Sequence, residues 1–213
     1  MPPLVPGNNI PKGQDCIAVF GRRWGKELRL PNRAKGARRG AYFVDWVLAH
    51  INAAGDLVSF VAVEVQSIDT TGNYRAERDA YLKGQPFTGS SPAGLNWENV
   101  NKRILPQIIY KGNVLQREPL CQKGLFFVCP KPVYEKIDER LGGNLSAYPI
   151  QPGSLTIMWY DLGPPVAAGN IRALNAIGLF TTTVNQVALA FTAPTNLPPA
   201  QVYENAIRTE LGK

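Results

Sequence analysis

One histidine and three cysteines in 213 residues leave few of the usual catalytic and metal-ligating side chains. His50 alone cannot assemble a histidine-rich metal site, and in an apolar run it reads first as a packed residue. Cys16, Cys121 and Cys129 are odd in number, far apart and without a Cys-x-x-Cys pair. That pattern excludes a disulfide framework and a cysteine-held zinc or iron site, and predicts buried free thiols. The chain has no Gly-x-Ser-x-Gly elbow, no Walker phosphate loop and no Gly-x-Gly-x-x-Gly fingerprint, so the common hydrolase, NTPase and dinucleotide signals are missing. No apolar run approaches the roughly twenty residues that span a bilayer. The opening MPPLVPGNNIPKG lacks the basic and apolar regions of a secretory signal, so a cytoplasmic protein is expected, with no membrane partner.

Acidic residues are also scarce, 16 against 23 lysines and arginines, for a formal charge of +7. The excess is concentrated in GRRWGKELRLPNRAKGARRG, where Arg22, Arg23, Lys26, Arg29, Arg33, Lys35, Arg38 and Arg39 meet only Glu27. Gly25, Pro31, Gly36 and Gly40 break any long helix there. The stretch from about 21 to 40 therefore reads as a basic arm able to follow a phosphate backbone, or as a merely solvated basic loop.

The remaining composition, 45% hydrophobic, suits one compact α/β or α+β domain over residues 1–213. AYFVDWVLAHI and LVSFVAVEVQSI read as neighbouring strands joined by a turn at 52–56, most simply a hairpin. From Asp69 through SSPAG the chain reads as an irregular connection. Asn96 is placed to cap a helix carrying Trp97, Val100 and Ile104, with Pro106 kinking or ending it. GLFFVCP and SLTIMWYDLG read as strands. PKPVYEKIDERLGG reads as a helix, because Pro132 suits its first turn, Val133, Ile137 and Leu141 repeat every four residues and Gly142 stops it. LFTTTVNQVALAF is ambiguous between strand and helix, and LPPAQVYENAIRTELG reads as a closing helix.

Within FVAVEVQSID, alternation puts Glu64 and Gln66 on one face and Val63 and Val65 on the other. Either that face is wet, as on an edge strand, or a buried carboxylate needs compensation, since an unpaired buried charge costs several kcal/mol, roughly. Asp45 is equally out of place in its apolar run, and a hairpin brings the two carboxylates into lateral contact. Mg²⁺ prefers oxygen ligands and would neutralise such a pair while activating water at a phosphodiester. Carboxylates satisfied by backbone donors or basic side chains are the simpler alternative.

Asp45 followed by Glu64-Val65-Gln66 on the next strand resembles the PD-(D/E)xK nuclease core with Gln in the usual Lys position. VAVEVQSIDTTGNYR, with the later LFFVCPKPVYEKI, is similar to the NotI-type restriction endonucleases in particular. The likeness is specific over residues 41–75; Val44 replaces the usual proline, and the cysteine-ligated iron module of the larger NotI enzyme has no counterpart. The resemblance implies a mixed central sheet flanked by helices and a restriction-type endonuclease acting on double-stranded DNA. Asp45 and Glu64 would hold Mg²⁺, with Mn²⁺ able to substitute, and Gln66 would orient the water or the scissile phosphate. Asn73 and Arg75, at the end of the similar stretch, join the basic arm as expected DNA contacts. A homodimer is expected for a symmetric double-strand cut. The alternatives are a structure-specific nuclease, such as a junction resolvase or exonuclease, and a non-catalytic basic nucleic-acid-binding protein.

Overall fold

The computed structural model describes residues 1–22, 24–30, 42–90 and 93–212. Its strands are β1 (Leu4–Pro6), β2 (Cys16–Gly21), β3 (Arg29–Leu30), β4 (Tyr42–Phe43), β5 (Trp46–Ile51), β6 (Leu57–Val65), β7 (Thr70–Thr71), β8 (Gly94–Leu95), β9 (Leu125–Pro130), β10 (Ser154–Leu162) and β11 (Leu174–Thr183). The helices are α1 (Arg75–Leu82), α2 (Leu105–Leu115), α3 (Lys131–Arg140), α4 (Val184–Thr192) and α5 (Val202–Glu210), with a π-helical turn at Val100–Ile104 leading into α2.

Seven strands form a mixed sheet in the order β1-β2-β5-β6-β9-β10-β11, and the fold is α+β with helices packed on that sheet. β2, β5 and β6 run antiparallel, whereas β6, β9 and β10 run parallel. The parallel steps need crossovers, which α2 and α3 supply between β6 and β9 and between β9 and β10. The hairpin expected from the apolar runs is present: the turn between β5 and β6 closes with the Asn52 side chain accepting from the Asp56 amide at 2.8 Å.

One face of the sheet forms the main core. Ala62, Leu125, Phe127, Leu155 and Ile157 project from β6, β9 and β10 against Leu105, Ile108 and Leu115 of α2, Val133 and Ile137 of α3, and Val184 and Val187 of α4. α2 and α4 approach closely because position 112 is glycine: a Cβ there would lie 2.4 Å from a methyl of Val184. The three cysteines are buried free thiols, and burial pushes Cys121 up to about 11 and Cys129 up to about 12.

Three readings need correction. The stretch expected to be an irregular connection contains α1, a short and largely polar helix with no buried residue, so no core-facing apolar run announces it. Pro106 does not end the helix that Val100 and Ile104 enter: it falls in the first turn of α2, where a missing N–H costs little, and the π-helical turn precedes it. Asn96 shows no side-chain cap bond among the described residues; the helix begins at Glu98, and Asn99, already helical, donates from its side chain to Asp69. The ambiguous Thr-rich run is both things in succession. Its β-branched half completes β11, and Thr183 then caps α4 by accepting from the Gln186 amide at 3.2 Å.

Candidate active site

β6 is a central strand between β5 and β9, so a wet edge does not account for Glu64. Its neighbour in register is Phe127 of β9, whose own partner on β10 is Ile157, and both of those side chains belong to the helix-covered core. Glu64 thus extends an apolar row and is only 6% exposed. The compensation comes from α2: Lys111, 7% exposed, donates from Nζ to Glu64 Oε1. The second carboxylate oxygen, Oε2, is buried and has no close hydrogen-bond partner among the described residues, although the Asp45 backbone N–H also acts on the carboxylate. Burial pushes the Glu64 carboxyl above the ordinary range; the Lys111 hydrogen bond and charge pull it back, and the Asp45 charge adds to the rise.

Asp45 lies immediately before β5, whose first residue Trp46 pairs with Val63, and this brings Asp45 alongside Glu64 at one end of the sheet. Its carboxylate is exposed and accepts the Val65 backbone N–H at 2.8 Å. Arg22, one residue beyond the end of β2, lines an open groove of about 380 Å³ with Asp45, Trp46 and Val65. Glu64 does not line that groove and points instead toward α2. Gln66 is half-buried just past β6, held by its backbone N–H to the Val128 carbonyl at 3.0 Å.

The segment after Gln66 ties β6 to the start of the helix that carries Lys111. Asp69 accepts from Asn99 Nδ2 at 3.0 Å and pairs with Arg103, both just before or within the π-helical turn. Such turns concentrate at functional positions. Gly112 then lets α2 seat against α4, fixing the depth at which Lys111 meets Glu64.

Lys111 is absent from the sequence-based set of site residues. The signal was present: Leu105, Ile108, Lys111–Gly112 and Leu115 follow helical spacing, so Lys111 occupies an inward position among apolar residues. A lysine there requires a buried anion, and Glu64 is one.

Of the expected DNA contacts, Arg22, Lys26, Asn73 and Arg75 are exposed. Asn73 accepts the Arg75 backbone N–H at 3.0 Å and so opens α1. Arg29 lies in β3. Arg23, Arg33, Lys35, Arg38 and Arg39 lie outside the described residues.

Asp45 and Glu64 offer hard oxygen donors, including Glu64 Oε2, and these suit Mg²⁺, which binds through one or two carboxylates and keeps its remaining positions for water and phosphate. Among the described residues no three His, Cys, Asp or Glu side chains gather into a fuller metal-binding group. No helix among them is long and apolar enough to cross a membrane. No protein-family model matches the chain, and no curated protein matches it in sequence.

Proposed function

We propose that this chain is a divalent-cation-dependent DNA endonuclease of the PD-(D/E)xK type, with a motif that resembles that of the NotI-type restriction enzymes. The observation that carries the reading is the placement of Asp45 beside Glu64 at one end of the central sheet, with Glu64 Oε2 lacking a close hydrogen-bond partner among the described residues. The mixed sheet flanked by helices is the fold that the motif resemblance implies.

Asp45 and Glu64 would hold Mg²⁺ or Mn²⁺, which when bound supplies Lewis-acid charge at the phosphate and an activated water. The residues of the chain do the rest. Arg22, in the groove beside Asp45, draws the phosphate backbone toward the carboxylates, and the basic arm around it supplies the affinity that does not depend on sequence. Gln66 offers both a donor and an acceptor without charge, and so orients the water or a phosphate oxygen by hydrogen bonding. The Val65 amide fixes the Asp45 carboxylate. On this reading the protein acts in the cytoplasm, and a homodimer makes paired cuts across a two-fold site.

The ion pair to Lys111 favours a second reading, in which Glu64 is a structural carboxylate and the basic surface binds nucleic acid without cutting it. Incubating the purified protein with plasmid and genomic DNA separates the two. The nuclease yields discrete fragments with Mg²⁺ and none with EDTA; binding without fragmentation under both conditions selects the second reading. Sequencing the fragment ends distinguishes a site-specific enzyme from a structure-specific one, which leaves no common end sequence.

A further inference from the structure

Two apolar surfaces of this chain face water among the described residues. The first lies on the β10–β11 hairpin. Met158 points away from the helix-covered core that holds its neighbour Ile157, and its register partner Leu179 shares that outer face. Leu162 and Leu174, paired further along, return to the same face by alternation, and Leu162, Leu174 and Leu179 are 49%, 58% and 52% exposed. Helices α2, α3 and α4 pack on the opposite side. β11 is also an edge strand, yet it carries neither the charges nor the proline that usually guard an edge.

The second surface is α5. Tyr203, Ile207 and Leu211 recur every four residues beside Val202 and Ala206 and form an apolar stripe, while Glu204 and Arg208 pair with each other on the polar side. No residue of α5 is buried, and Tyr203 and Ile207 are 86% and 59% exposed. The hairpin face of the same chain is out of reach. Leu197 lines a groove against α3 and the π-helical turn, on the helix-covered side of the sheet, and only residues 198–201 separate it from α5. Fully extended, that link spans at most about 18 Å. The path from the helix layer around the edge of the sheet to its other face exceeds about 20 Å, a helix diameter on each side.

We propose that the outer face of the β10–β11 hairpin is the seat for α5 of a second copy of this chain, the two copies exchanging helices reciprocally about a two-fold axis. Exposed apolar patches of this kind mark contacts between proteins. A helix about 10 Å across covers two strands spaced about 4.8 Å apart, so α5 fits over the hairpin and leaves the β6 part of the face, with Val65, open. The Tyr203–Ile207 stripe meets leucines, and the Glu204–Arg208 pair stays toward water. The inference deepens the homodimer of the nuclease reading, and its part in paired cutting rests on that reading; the docking itself rests on the two surfaces.

Sedimentation equilibrium of the full chain, without DNA, tests the exchange. The wild type should be a dimer at micromolar concentration. Ile207→Glu on the helix and Leu179→Glu on the hairpin should each weaken association by at least about a hundredfold, because each puts a carboxylate into an apolar contact, while circular dichroism stays unchanged. Leu179→Thr suits a strand and replaces Leu179→Glu if that variant does not fold. Mixing the helix variant with the hairpin variant should restore association above that of either alone, since one of the two docked helices then has both surfaces intact. A monomeric wild type overturns the inference, and that includes α5 docking on its own chain. A dimer that survives either substitution, or a mixture that associates no better than its components, overturns it too. A monomeric wild type that cuts DNA with Mg²⁺ leaves the nuclease reading standing, whereas a dimer that behaves as described and cuts nothing keeps the docking and removes the activity.

Discussion

The two faces of β6 invert the usual distribution of charge and apolar surface. On the helix-covered face Glu64 sits in the row of Phe127 and Ile157 and meets Lys111. On the opposite face Val65 of β6 and Leu179 of β11 remain 44% and 52% exposed. A charge in the core and valine in water are both departures from what burial energetics favours, and they occur on one strand, one residue apart. The exposed valine is cheap, because much of any protein surface is apolar. The buried ion pair is not, since removing two charges from water costs several kcal/mol per ion, roughly, before their attraction is counted. Apolar residues at 64 and 111 could serve stability as well; on the proposed function, the pair holds a carboxylate at that depth for the site.

The comparison breaks most visibly at Glu64. Glu64→Ala strands the Lys111 ammonium in the core and should destabilise the fold by about 3–5 kcal/mol. Chemical denaturation measures it. Relief of carboxylate repulsion, the effect expected if Asp45 were the dominant neighbour of Glu64, would instead stabilise the variant. The apolar double replacement Glu64→Leu/Lys111→Met should recover most of the loss, and a double variant as unstable as the single ones would show that the pair does more for the fold than neutralise itself.

Next in size is the helix seat behind the pair. Gly112→Val forces side-chain atoms into Val184, at a position where even a Cβ would come within 2.4 Å, and should cost about 1–3 kcal/mol. Because Lys111 is the adjacent residue, the same variant should weaken any Mg²⁺-dependent cleavage beyond its effect on the folded fraction. Unchanged stability would mean that α2 and α4 are not held at this distance.

The smallest effects are expected on the exposed side. Val65→Lys places a new charge on the open face of the same strand and should change stability by no more than about 0.5 kcal/mol. A loss as large as that of Glu64→Ala would show that something covers this face. Arg22→Gln should leave folding intact and, for each lost duplex-phosphate contact, lower the slope of log K against log salt by about 0.9. An unchanged slope would make Arg22 ordinary surface charge.

Much of the sheet was legible because its strands carry their own signals. The β5–β6 hairpin follows from two apolar runs around a turn that Asn52 and Asp56 close, and α3 follows from Val133, Ile137 and the glycine after Leu141. Asp45 and Glu64 were legible as misplaced charges, and the register does set them side by side. What neutralises Glu64 was harder to read: Lys111 falls at an inward helical position, but on a distant helix containing Pro106 and Gly112, two residues that lower local helix propensity. Packing against α4 and the core overrides that propensity. The position of Asp45 over the groove was hidden for a similar reason: it depends on the Val65 amide and on Arg22 at the end of another strand, neither of which spacing reveals.

The most direct test of the proposed active site uses Asp45, since this carboxylate is exposed. Asp45→Asn keeps an oxygen to accept the Val65 N–H, so its melting temperature should match that of the wild type in metal-free buffer. Its single-turnover cleavage of DNA with Mg²⁺ should nevertheless fall by at least about a hundredfold, the loss expected when a group that stabilises charge at the reacting phosphate is removed, while binding to DNA in EDTA is retained. Cleavage by this folded variant at the wild-type rate would contradict the assignment of Asp45 and Glu64 as a catalytic pair.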